Sequence, residues 1–252
     1  MRPPITEKGA YFKMYNTSIR HIEKVTGRIY RLENVIIENP DTSYSRQTSF
    51  VRNMEMYYLG RKKLLHYYQV LTTHFSYSNE DNAMGMLLRK ISYVFDEVEL
   101  LADDENNIVK VLNLPEIRKR WLTTTEILFK DHKGEAIENY SHTISNMLEN
   151  EKSVISFLNE YKMFGLFFNG QCSEYHHGIK KKRIIFRDDE ETIEHLAVQM
   201  LENEVVISID GIQDGGSKYS GTFVYRKNNM IEGYLTSKTK RKLIKYSLLW
   251  IG

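Results

Sequence analysis

The feature that most restricts this fold is a change of hydrophobic period along the chain, from two to about 3.6 and back to two. Leu65, Tyr67, Leu71, Phe75 and Tyr77 share one parity, the pattern of a strand with one buried face. Residues 28–38 and Phe50–Leu59 are also rich in β-formers, and Asn39-Pro40 marks a turn between them. Val94–Leu101 and Ile108–Leu112, around the polar turn Asp103–Asn107, predict a hairpin. Then the period changes. Leu114, Ile117, Trp121 and Leu128 lie on one helical face, with Pro115 suited to the first turn and Gly134 at the end. Ile137, Tyr140, Ile144, Leu148, Ile155 and Leu158 predict a second helix, from Glu135 to about Lys162. The short break at Gly134 makes the two antiparallel neighbours.

Beyond Asn169-Gly170 the β pattern returns. Arg183–Phe186, Val205–Ile209, Gly221–Arg226, Met230–Leu235 and Lys242–Ile251 read as strands, the last three as a meander. Residues 188–204 fit a helix through Ile193, Leu196, Ala197, Met200 and Leu201, with a strand as the alternative. Shorter helices are expected over Ser18–Val25 and, after cap candidates at Ser78–Asp81, from Met84 to Ile91. Strands, a helix pair, then strands again define an α+β fold: antiparallel sheets with an inserted helix pair and a C-terminal β-meander. The expected division is residues 1–164, a mixed β/α unit ending in the helix pair. Residues 165–252 then form a β-rich C-terminal domain or continue the same sheet, with the seam near Gly165–Gly178.

Composition narrows the class. The 252 residues are 41% hydrophobic and 27% charged, with 17 Tyr and 11 Phe, which argues against disorder. The 35 basic and 33 acidic residues nearly cancel, at a net charge of +2, where nucleic-acid-binding chains usually carry a larger positive balance. Cys172 is the only cysteine, which excludes an intrachain disulfide and a thiolate-rich zinc site. Met1–Lys8 lack an apolar leader, and the longest apolar run, Met163–Phe168, is far below a membrane span. No signal peptide and no membrane span are expected, and the reading is cytoplasmic.

The chemical motifs are weak. Cys172 beside His176 and His177 could form an activated thiol, and those histidines with Glu174 a metal site. An incidental loop is the better account, since thiol proteases usually bring their histidine from far away in sequence and, for a metal, neighbouring histidines point apart on a strand. Gly211–Lys218 has Ser and Lys in the wrong order for a phosphate loop, and a β-rich segment follows where a helix is needed. Asp103–Asn107 lacks the alternating ligands of a calcium loop. No catalytic residue, metal or cofactor is assigned.

The basic clusters carry more weight. Lys180, Lys181, Lys182 and Arg183 form one, and Lys238, Lys240, Arg241 and Lys242 the other. Arg118-Lys119-Arg120 precedes Trp121, and Tyr175, Tyr219, Tyr225 and Tyr234 are candidate stacking surfaces. The expectation is a non-catalytic protein-interaction module, such as an adaptor, chaperone-like, assembly or neutralising subunit. Its Tyr and Met content suits an interface whose partner is another protein. The alternatives are a nucleic-acid-associated protein using a C-terminal basic surface, and an enzyme with dispersed active-site residues.

Overall fold

The computed structural model describes residues 27–78, 91–131, 133–170, 180–187, 190–213, 218–227, 229–239 and 241–252. The expected helices over Ser18–Val25 and Met84–Ile91 lie outside these residues, apart from Ile91. Strands β1 (Arg28–Glu38), β2 (Arg46–Lys62) and β3 (Leu65–Tyr77) form an antiparallel series. Residues 94–95 are not strand, because Tyr93–Phe95 is a 3₁₀ turn. The hairpin follows as β4 (Glu97–Ala102) and β5 (Ile108–Val111). Its tip is held by Asp103, whose carboxylate accepts from the backbone N and Nδ2 of Asn107.

Helix α1 (Leu114–Asp131) follows, then α2 (Glu135–Glu149) and α3 (Glu151–Leu158). The single helix expected over residues 135–162 is therefore broken. Asn150 is extended at φ −114°, ψ 116°, and its side chain accepts from the Lys152 N–H, capping α3. Leu148 and Ile155 are seven residues apart, close to two helical turns, so the apolar stripe continues across the break. Arg118 ties α1 to the end of α2 by donating to the Leu148 and Glu149 carbonyls.

The C-terminal half is all strand: β6 (Lys180–Arg187), β7 (Glu190–Met200), β8 (Val205–Gln213), β9 (Lys218–Arg226), β10 (Asn229–Lys238) and β11 (Lys242–Trp250). For residues 190–200 the strand alternative holds. Glu194, Leu196 and Val198 are buried while His195, Ala197 and Gln199 are exposed, a period of two. Pairing with β6 and β8 on both sides decides the conformation over local helical spacing. All strands join one 11-stranded antiparallel sheet, in the order β5-β4-β3-β2-β1-β11-β10-β9-β8-β7-β6. The two halves of the chain thus share a sheet, through β1 and β11.

The core lies on one face of that sheet. Leu32, Leu248, Phe223, Ile207 and Val198 fall in one cross-strand row, and all are buried. The helices meet the β4–β5 end. Residues 161–169, which overlap the start of the seam expected near Gly165–Gly178, continue the cover as an irregular segment buried at every position except Lys162. Phe167 packs on Tyr30, and Phe168 on Tyr68, with ring centres 5.3 Å apart in each case. Tyr161 meets Tyr246 and Tyr219. Gly165 is required, since a Cβ there would lie 2.0 Å from the Asn159 carbonyl oxygen.

The same segment shows that the sheet curls. Phe168 touches Tyr68 on β3, and Asn169 donates to the Tyr225 hydroxyl on β9 at 2.9 Å. These strands are five steps apart, about 24 Å in a flat sheet. Side chains stand roughly perpendicular to a sheet, so two adjacent residues reach both only if its face is concave.

Leu148 is 2% exposed in this core. Leu148→Ala is expected to cost about 2–5 kcal/mol. Urea unfolding monitored by circular dichroism measures this, and an unchanged midpoint would remove α2 from the core.

Candidate functional site

The two basic clusters occupy different strands. Lys180, Lys181, Lys182 and Arg183 begin β6, the outermost strand at one edge of the sheet. Lys238, Arg241 and Lys242 belong to the β10–β11 hairpin, and Lys240 lies outside the described residues. Arg183 pairs with Glu194, and the row continues through Gly211 and Tyr219 to Ser237, beside Lys238. The clusters therefore share a height on the sheet but stand four strand steps apart, about 19 Å along it. The hairpin charges also have acidic company. Lys238 Nζ is 3.3 Å from an Asp41 carboxylate oxygen, and Lys242 is paired in register with Glu38.

Burial reassigns other candidates. Arg120 is not a surface cation. Its Nη1 lies 3.1 Å from Asp96 Oδ1 and 3.7 Å from Glu97 Oε2, and its Nη2 donates to the Glu97 carbonyl. The Asp96 contact has ion-pair distance without hydrogen-bond geometry. Burial raises the Asp96 carboxyl pKa, a shift that the Arg120 charge opposes. Gln69 donates to Glu97, and Asn113 donates to the Glu97 carbonyl while accepting from the Glu99 N–H, so this network fastens α1 to β4. Tyr219 and Tyr225 are core residues rather than stacking surfaces, while Tyr234 is exposed. Tyr175, Cys172, His176, His177 and Glu174 lie outside the described residues.

Two constellations escape sequence inspection. On the surface, His66 Nε2 is 3.1 Å from Asp104 and its Nδ1 is 3.2 Å from the Tyr58 hydroxyl, with Arg61 bridging Asp104 and the imidazole. This is an acid–histidine–phenol chain that links the β2–β3 hairpin to the β4–β5 turn at the surface. Among the described residues no group of three or more His, Cys, Asp or Glu is placed to hold a metal ion. No helix of the described residues is long and apolar enough to cross a membrane.

The second constellation is inward-facing charge on the sheet. Glu194 is fully buried and accepts from the Tyr219 hydroxyl. Arg52 is 6% exposed, with Nη1 3.1 Å from Met163 Sδ and its guanidinium 5.8 Å from the ring centres of Phe75 and Phe164. Desolvation lowers its pKa to about 10, which still leaves it charged at neutral pH. A usable signal existed: Arg52 shares parity with Phe50, Met54 and Met56, and Glu194 with Leu196 and Val198. A charged residue interrupting the apolar parity of a strand marks such a position.

No protein-family model and no curated protein matches this chain. Among solved structures, one described as "Lipid-protein interactions in lipovitellin" aligns with a TM-score of 0.46 at 8% identity. The alignment covers 92% of this chain and 26% of that one, so this chain spans about a quarter of its length. A likeness at this level carries no functional argument.

The Asp96 environment generates a pH prediction. With its folded pKa raised above 3.8, the native state binds that proton more tightly than the unfolded chain. The Asp96 contribution therefore weakens as pH rises from 3.8 through the folded value. In Asp96→Asn that slope vanishes. The stability of the variant minus that of the wild type is expected to grow with pH across this window, as read by urea midpoints. A difference independent of pH would mean that Asp96 titrates normally.

Proposed function

We propose that this protein is a non-catalytic, cytoplasmic interaction module that binds an extended acidic segment of another protein along β6. The observation that carries this reading is the position of Lys180–Arg183 on an edge strand. Among the described residues β6 pairs only with β7, which leaves one side of its backbone to add a further strand. Charge selects what can be added. A second copy docked antiparallel about the strand centre would oppose Lys180 to Arg187 at each end and gather the basic residues of both copies on two adjacent strands, with Lys181, Lys182 and Arg183 opposite Phe186, Ile185 and Ile184. Like charges directly opposite destabilise a strand pair, while acidic residues there stabilise it. A lysine-rich edge thus rejects its own kind and favours an acidic strand. The β10–β11 hairpin is a poorer receptor, because its strands are interior to the sheet and Asp41 and Glu38 sit against its lysines, whereas on β6 only Arg183 and Arg187 are paired in register with glutamates and Lys180, Lys181 and Lys182 are paired with Ala197, Leu196 and His195.

Fluorescence anisotropy tests this with a labelled peptide in which Glu alternates with Val, a Lys–Val control, and a single-stranded oligonucleotide. The Glu–Val peptide is expected to bind, more weakly as salt rises. Lys181→Glu with Lys182→Glu should weaken it about tenfold, the scale of two exposed ion pairs. Arg241→Glu with Lys242→Glu should leave it unchanged. N-methylation of alternate peptide amides should abolish binding, because strand addition uses backbone N–H groups. Binding of the oligonucleotide alone would replace this reading with a nucleic-acid one. Binding of none of the three would end it.

A further inference from the structure

The least compensated group among the described residues is Arg52. A buried guanidinium without an anion is strongly unfavourable, because its hydration is lost and no carboxylate replaces it. Arg120 and Glu194, the comparable buried charges, have Asp96 with Glu97 and Tyr219 as partners. Arg52 has the Met163 thioether, a weak acceptor, and two aromatic faces. The thioether engages only Nη1. The Nε–Nη2 edge makes no hydrogen bond among the described residues, and Nε is fully buried. That edge is the planar fork that takes both oxygens of a carboxylate.

The surroundings define what the carboxylate is attached to. Arg52 is paired with Phe75, and the next pair toward the end of β3 on the same face is Phe50 with Tyr77, whose ring centres are 4.5 Å apart. Both are half-buried, so aromatic rings run from the rim of the sheet to a buried cation. Met163 is unbranched and flexible, the residue type most able to repack around an added ring. A single guanidinium balances one negative charge, which suits a monoanion better than a phosphate dianion.

We propose that Arg52 is the receptor for a small aromatic monocarboxylate bound among Phe50, Phe75, Tyr77 and Phe164. This site is separate from the β6 edge and does not depend on the function assigned there.

The probes are benzoate, its neutral isostere benzamide, and inorganic phosphate at matched ionic strength. Benzoate is expected to raise the melting temperature of the wild type saturably, and the other two to leave it unchanged. Arg52→Met keeps the side-chain length and removes the charge. It is expected to melt above the wild type without benzoate and to show no response to it. A ¹⁵N spectrum of the wild-type arginine Nε–H groups gives a second readout should that variant fail to fold. One resonance protected from solvent exchange should shift with benzoate and not with benzamide. A wild type unresponsive to benzoate overturns the proposal, as does a response that survives in Arg52→Met. A folded Arg52→Met that melts below the wild type also overturns it, since Arg52 would then be a structural cation already compensated by its rings and thioether.

Discussion

The antiparallel pairing of β1 with β11 is the interaction on which the rest of this structure depends. It runs over nine residue pairs, from Tyr30–Trp250 to Glu38–Lys242, and joins segments about 200 residues apart. Without it the chain would present two separate sheets and two further open edges, at β1 and β11. With it, every strand from β5 to β6 belongs to one sheet, and a single concave face is available for burial. Closing so long a loop costs little more entropy than closing one of half the length, because the cost grows only logarithmically. The demand is kinetic: non-local pairings reward the chain late, so folding is slow relative to a helical protein of similar stability.

The second dependence is how the concave face is filled. Residues 161–169 are buried without being helix or strand, a setting in which backbone carbonyls are expensive to leave unpaired. Asparagine side chains meet part of that need. Asn34 donates to the Lys162 carbonyl, Asn106 to Phe167 and Asn169 to Leu166. Aromatic contacts supply the cohesion, as Phe167 packs on Phe168 and both rings reach Tyr68. The segment bonds to β1, to the β4–β5 turn and to β9, and so holds the sheet in its curl.

Charge is distributed according to access. At the sheet margins, Lys180–Arg183 lie along an edge strand and Lys238 is half-screened by Asp41. Inside, Arg120 is locked between Asp96, Glu97 and the β4 backbone, and joins the helices to the sheet. Arg52 has no equivalent set of acceptors, although it lies on the same face. Two arginines with similar burial are therefore held differently. One is tied to carboxylates and backbone, and the other to a thioether and two aromatic faces.

Period alone made most elements legible. The parity of Leu65 to Tyr77 marked β3, and the spacing of Ile144 and Leu148 marked α2, because these patterns follow directly from strand and helix geometry. The antiparallel α+β class followed from the order of those elements. The sequence did not settle β7, where Ile193, Leu196, Ala197 and Met200 satisfy helical spacing, because only pairing with β6 and β8 selects the extended chain. Nor did it reveal the break at Asn150, since a seven-residue step keeps the apolar stripe continuous. The lysine run was visible, but its position on an edge strand was not, because strand order is set by contacts between distant segments. Arg52 shows the same division: its parity placed it among apolar neighbours, while only the tertiary fold brought Met163 and Phe164 over it and no carboxylate among the described residues. Local sequence sets backbone period and side-chain parity, and partners distant along the chain decide which face is buried and which charge is compensated.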